Sequence, residues 1–429
     1  MTAGGVVFWF RSDLRLHDNP ALALAIQTAS NLGTWLLPVC VDDPSQTTAL
    51  TRWGFQRQGH QRRRFWEESV SGLAHSLQGL GAKLWVLRGA APAALGACMR
   101  RLDAAVLVCE DIPAPQEQAA VNALRSAGVR VTTVWQSTLF APEALPMSPQ
   151  AVPDTFTAFR QRLQASGTAW AEPLPAVQTW PRCPAPEPGA DGVGLAVPAP
   201  VQPRGEGGES QALAHLARYC EEGFPHTYKA TRQALMGADT STRWSPWLAT
   251  GALSARRAMA AIRQFEADRG ASESTYWIWF ELLWRDHFRW MHVKHGARLY
   301  RERGLSEQPA SAHHPEAYEG WCRAQTGQPL IDAGMRELAT TGWLGNRMRQ
   351  IVAGFLIHDL GCDWRAGAAW FEHALIDFDP CSNQGNWAYI AGRGTDPRGG
   401  RRFNVAKQTQ DHDPLGEYRA RWCENKSNV

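Results

Sequence analysis

Between Asp377 and Tyr389 the chain reads Asp-Phe-Asp-Pro-Cys-Ser-Asn-Gln-Gly-Asn-Trp-Ala-Tyr. Two carboxylates, three amides and three aromatic rings crowd this short stretch. Paired carboxylates suit a general acid and base. They equally suit oxygen ligands for a hard cation, but no run of further oxygen ligands follows at loop spacing. A second stretch, Ser241-Thr242-Arg243-Trp244-Ser245-Pro246-Trp247, supplies hydroxyls and one guanidinium ahead of a helix-start proline. A phosphate site needs O–H donors and a fixed cation, and a plain helix cap uses the same residues. A third runs from Ser274 to His295. Its periodicity predicts a helix with Ser274 as N-cap, and places Glu281, Trp284, Arg285 and Phe288 at i, i+3, i+4 and i+7 on one face. The plain reading is an exposed Glu–Arg pair. A carboxylate beside tryptophan in an apolar wall is costly unless a partner or ligand uses it, so this face reads as a pocket wall.

The elements that must position these residues divide the chain in three. Residues 1–140 alternate short apolar runs with polar, helix-like stretches. The runs are Val6–Phe10, Trp35–Val41, Lys83–Leu87, Ala105–Cys109 and Val129–Trp135. Each is nearly continuous, as strands buried on both faces of a parallel sheet are. Helices are expected between them, among them Gln56–Leu80 and Pro115–Ser126. The fold class is therefore a doubly wound α/β domain with a five-stranded parallel sheet. No GxGxxG and no GxxxxGK[ST] occurs. Phe10–Pro20 reads as a strand end, a polar loop and a helix beginning at Pro20. Residues 141–209 read as an interdomain linker, since 171–203 hold nine of the 27 prolines. Residues 210–429 read as an all-α domain.

Composition limits the rest. The chain has 429 residues, 44% hydrophobic and 20% charged, with a net charge of +3. It can bury cores, and any nucleic-acid contact must come from a local patch. No apolar run approaches the ~18 residues of a membrane span. Nine cysteines without CxxC spacing argue against a zinc site or a disulfide framework, and favour a cytoplasmic setting. Of 20 tryptophans, eleven fall between Trp244 and Trp387. That density suggests stacking or electron transfer beside ordinary core filling. The basic run Arg52–Arg64 reads as a solvated helix face, and His313-His314 as loop polarity.

These segments, with Gly342-Trp343-Leu344-Gly345-Asn346-Arg347-Met348-Arg349-Gln350, resemble the photolyase/cryptochrome family, and within it the cryptochrome-DASH branch. The likeness spans Val6 to about Trp422. It implies a helical domain that binds FAD. Tyr228, Ser241, Thr242, Arg243 and Ser245 would hold the diphosphate. Asp377 would pair with Arg349 beside the flavin, Asp379 would meet the isoalloxazine edge, and Asn383 would sit at flavin N5, favouring the reduced states. The implied reaction is light-driven repair of cyclobutane pyrimidine dimers, with single-stranded DNA preferred and RNA or duplex DNA as weak partners. Glu281 would hydrogen-bond the dimer, Trp284 and Tyr389 would wall it, and Asn346 would face substrate or flavin. Arg232, Arg347 and the Arg393–Lys407 cluster, with Arg401 and Arg402, would contact phosphates. The alternative is a blue-light-sensing flavoprotein that binds nucleic acid or partners without repair. A monomer is expected, with no metal.

Two departures from the family pattern stand out. Trp387 and Trp364 match the inner members of a tryptophan electron-transfer chain, but the outer position is Ser311. Slow or rerouted photoreduction is expected, with Trp290 or Tyr318 as substitutes. A 5,10-methenyltetrahydrofolate antenna would meet Glu110 or Asp111, where the family has a His-x-Glu segment.

Overall fold

A computed structural model describes residues 4–184, 195–196, 205–309 and 311–423. Five parallel strands, β1 (Val6–Trp9), β2 (Leu36–Asp42), β3 (Trp85–Arg88), β4 (Val106–Glu110) and β5 (Val131–Val134), form the expected sheet in the order β5-β4-β1-β2-β3. A two-residue strand, β6 (Leu195–Ala196), adds antiparallel to the free edge of β3. The linker thus contributes a backbone cap to the sheet edge, which composition did not suggest.

Helices α1 (Pro20–Asn31), α2 (His60–Gly79), α3 (Ala91–Arg101) and α4 (Pro115–Ser126) cover the two faces. Val6, Phe8 and Cys40 face one apolar layer with Leu22 and Leu73, while Val7, Leu37 and Val39 face the other with Leu95 and Leu124. Burial on both sides is why these strands read as unbroken apolar runs. Asn19 caps α1 by accepting from the Leu22 amide, directly before Pro20.

A helix that was not expected, α5 (Phe156–Ser166), lies within the stretch set aside as linker and buries Phe156, Phe159 and Leu163. Beyond it the chain is helical: α6 (Glu209–Glu221), α7 (Tyr228–Thr231), α8 (Ser245–Thr250), α9 (Ala255–Arg269), α10 (Glu273–His295), α11 (Pro315–Cys322), α12 (Pro329–Thr341), α13 (Asn346–His358), α14 (Trp364–Ala374), α15 (Pro380–Ile390), α16 (Val405–His412) and α17 (Glu417–Cys423). No helix among the described residues is long and apolar enough to cross a membrane. All nine cysteines are free.

The two domains are tied by buried polar contacts. Asp18 pairs with Arg256 at 2.9 Å and accepts from the Ser254 hydroxyl. The Leu14 amide donates to the Thr250 carbonyl, and Arg15 donates to the Gly251 carbonyl. Gly251 is obligatory there. Its φ is +69°, and a Cβ would meet the Ser12 carbonyl oxygen at 1.8 Å. Part of the basic run Arg52–Arg64 also belongs to this junction, while Arg64 stays exposed beside Glu68 as a solvated face would have it. Arg57 pairs with Glu372 of α14, and Arg62 donates to the Glu372 carbonyl while lying over the Phe378 ring.

Candidate functional site

Helix α10 forms one wall of a cavity of about 590 Å³ in the helical domain. Its N-cap is Ser272, not Ser274. The Ser272 hydroxyl accepts from the Thr275 amide, and the Thr275 hydroxyl accepts from the Ser272 amide. Ser274 sits two residues further on, in the first turn, where its hydroxyl accepts from the Lys229 amide. Glu281, Trp284, Arg285 and Phe288 all line the cavity, as their spacing requires. The face is the pocket wall expected, and the exposed Glu–Arg pair of the plain reading does not form. Glu281 pairs instead with Arg232, whose guanidinium lies over the Trp277 ring. Arg285 turns to the Ser137 and Leu248 carbonyls. Burial raises the pKa of the Glu281 carboxyl, and Arg232 opposes that only in part.

The wall expected to face a substrate is built from rings. Trp284 lies flat on Phe156 of α5, with centroids 3.9 Å apart and planes 10° from parallel. Tyr389 meets Trp284 edge-on at 5.6 Å. Each such pair contributes roughly 1 kcal/mol beyond its buried area. Arg401 donates to the Tyr389 hydroxyl at 2.6 Å and pairs with Asp396. It therefore orients Tyr389 in the free protein.

On the opposite side Asp379 caps α15, accepting from the Ser382 amide at 2.7 Å, and pairs with Arg289 of α10. Burial alone would raise its pKa, but Arg289 and Arg285 hold it well below the carboxylate range. Asp377 accepts from Arg349 at 2.7 Å, the expected pair. The Asn383 amide donates to the Ala368 carbonyl at 3.0 Å, which turns its oxygen away from that carbonyl. Asn346 opens α13 and lines the cavity.

The fourth side holds Tyr228, Ser241, Thr242, Arg243 and Ser245. Arg243 has φ +50°, lies over the Trp343 ring at 4.2 Å and donates to the Gly237 carbonyl. It forms no ion pair among the described residues, and its buried Nε has no partner. Burial lowers its pKa accordingly. A cation without an ion-pair partner among four hydroxyls fits an anionic diphosphate, and the volume lies within the ~300–1,000 Å³ of cofactor sites.

Four expected site residues do not line this cavity. Trp364 is fully buried in α14, with its indole donating to the Glu302 carbonyl. Arg402 is exposed and pairs with Asp359. Glu110 is buried at the end of β4, and Asp111 accepts from Gln118. Neither acid lines this cavity or a second one, of about 220 Å³, at the carboxyl ends of β1 and β2. Of the basic cluster, Arg393 is spent on the Gln308 and Pro309 carbonyls. Arg347 lines the cavity, with Gln233 as its acceptor. His313 packs beside Trp53 and Tyr318, and no metal-holding cluster exists among the described residues.

Burial raises the Glu110 pKa to about 8. The unfolded chain loses that proton near pH 4.3. Glu110 therefore costs stability as pH rises, most fully above pH 8. The buried His287 and His292, lowered to about 4, have their effect below pH 6.5, in the opposite direction. The melting temperature should therefore fall from pH 6.5 to 8.5. Glu110→Gln should flatten that fall, by about 2 °C per kcal/mol recovered. An unchanged slope would remove Glu110 as its source.

Comparison with known proteins gives the site its family. The model for "DNA photolyase" matches residues 6–180, and "FAD binding domain of DNA photolyase" matches 277–429. A cryptochrome DASH from Gloeobacter violaceus is 40% identical over 98% of this chain and 86% of its own. One from Xenopus laevis is 38% identical over 97% and 82%. The crystal structure of a Synechocystis cryptochrome superposes with TM-score 0.90 at 37% identity, covering 100% of this chain and 90% of that one. The helical domain is thus an FAD-binding domain, and the chain belongs to the cryptochrome-DASH branch of the photolyase/cryptochrome family.

Proposed function

We propose that this flavoprotein repairs cyclobutane pyrimidine dimers in single-stranded DNA under light. The observation that carries this reading is one cavity shared by two kinds of chemistry. Arg243 and its hydroxyls fit a diphosphate, while Glu281, Trp284 and Tyr389 form a wall with a carboxyl and two rings. Reduced FAD, when bound, supplies the excited electron that opens the cyclobutane ring and takes it back.

The protein's part is binding and orientation. Arg243, Ser241, Thr242, Ser245 and Tyr228 hold the diphosphate side. Asp379, Asp377–Arg349 and Asn383 orient the flavin, with the Asn383 oxygen accepting a flavin N–H. Trp284 and Tyr389 stack on the extruded bases, worth roughly 1–3 kcal/mol per base. Glu281 hydrogen-bonds the dimer after releasing Arg232. Arg347 and Arg402 contact phosphates without reading sequence. Extruding a dimer from a duplex costs a few kcal/mol, which a single strand does not impose.

The test uses the holoprotein with chemically reduced flavin. It is illuminated with single-stranded and duplex oligonucleotides carrying one thymine dimer, and the return of thymine absorbance is followed. Restoration of the single strand well ahead of the duplex is expected. Restoration of neither, with flavin bound and reduced, would overturn the proposal in favour of light sensing.

A further inference from the structure

We propose that this protein draws electrons into its cofactor cavity along a ring path from the N-terminal domain, Trp53 to Tyr318 to Trp321 to Trp387. Trp387 lines the cavity and is buried. Its ring lies 6.3 Å from that of Trp321. Trp321 is 6.2 Å from Tyr318, with planes 20° apart. Tyr318 is 6.1 Å from Trp53, on the loop after β2. Every centroid step is near 6 Å, so ring edges approach contact and orbital overlap is large at each. The path leads from the cavity across the domain junction to the half-exposed Trp53.

The partners of these rings decide where an electron vacancy rests. The Trp321 indole donates to the Val352 carbonyl, and the Tyr318 hydroxyl donates to the Ala366 carbonyl. A carbonyl holds a proton donor but is too weak a base to take the proton. A vacancy on Trp321 therefore is not trapped by deprotonation, and Tyr318, whose oxidation would need a base for its proton, serves as the bridging ring between Trp321 and Trp53 rather than as a resting place. Trp53 differs. The Arg52 guanidinium lies 4.4 Å above its ring, which disfavours a charged radical and favours release of the indole proton. His313 packs 4.8 Å away, and burial lowers its pKa. Ser311 offers no oxidisable ring of its own.

The step balances as follows. One electron passes from Trp53 through the inner rings to light-excited oxidised flavin, and the indole proton of Trp53 goes to water. A small-molecule thiol then returns one electron and one proton to Trp53, ending pairwise as disulfide. The proposal requires flavin in the cavity, and stands or falls independently of DNA repair.

The experiment is transient absorption on the holoprotein with oxidised FAD and dithiothreitol, after a blue flash, reading the long-lived neutral tryptophan radical. Trp387→Phe should abolish the signal by any route, which establishes the starting ring. Trp53→Phe should cut the long-lived radical and the photoreduction yield at least tenfold. Trp321→Phe should do the same. Trp364→Phe should change both less than twofold. Trp321 is fully buried and its variant can fail to fold, so the half-exposed Trp53 variant decides, with its melting temperature as control. An unchanged radical in Trp53→Phe, or its loss in Trp364→Phe, would overturn the path.

Discussion

Asp379→Asn is expected to strip the protein of flavin and destabilise it by about 3–5 kcal/mol, the usual cost of removing one partner from a buried ion pair. The reason is local. Arg289 and Arg285 both lie against Asp379, and burial denies them water. Asparagine keeps the cap to the Ser382 amide but removes the charge paired with Arg289, leaving two neighbouring buried guanidiniums with only the more weakly coupled Asp286 and Glu110. Arg285 already has its pKa lowered to about 10 by burial and by Arg289. Asp379 has a depressed pKa, so its contribution is complete above the unfolded value and is lost only as pH falls through the folded one. The full loss is therefore read at neutral pH. The ratio of flavin to protein absorbance should fall at least tenfold, and the melting temperature by several degrees. Asp379→Ala should be worse by a further ~1 kcal/mol, because it also removes the cap. Full flavin content and an unchanged melting temperature in Asp379→Asn would show that Arg289 finds another acceptor.

The same pair marks where sequence reasoning reached and where it stopped. Strands β1 to β4 were legible because burial leaves a nearly continuous apolar run, the half-buried edge strand β5 only from its valines, and no strand extends more than a residue beyond its run. Asn19 before Pro20 is a local signal, and α1 begins there. The α10 face was legible for the same reason, since helical spacing fixes which side chains share a side. What was not legible is long-range pairing. Arg289 meets Asp379 across 90 positions, and Arg232 meets Glu281 across 49. Nothing in either segment alone names its partner. The arginines assigned to phosphates met the same difficulty, since Arg393 and Arg401 are already committed to protein acceptors. Helix α5 is a different case. Phe156, Phe159 and Leu163 stand at i, i+3 and i+7, a helical signal that the nearby prolines obscured. Missing it hid the ring that backs Trp284.

Glu281→Ala is expected to lower dimer repair by about 10–100-fold while flavin stays bound, as follows from ~1.5–3 kcal/mol for a hydrogen bond to a charged group. Glu281 lies on the α10 face, and none of its hydrogen bonds reaches Arg243, Asp377 or Asn383. Its own partner, Arg232, retains the Trp277 ring when the carboxylate goes. The fold should therefore survive. The free protein adds a second consequence. Because Arg232 occupies Glu281 before substrate arrives, a dimer must displace or share that guanidinium. Arg232→Leu should weaken binding of any single strand by removing a cation, yet leave Glu281 free to meet the dimer. The two variants should then separate. Glu281→Ala should lose discrimination between damaged and undamaged strands, while Arg232→Leu should keep discrimination and lose overall affinity. Repair rates per bound, prereduced flavin, together with binding of damaged and undamaged oligonucleotides, distinguish them. Repair at the unaltered rate in Glu281→Ala would place the dimer against a different wall of the cavity.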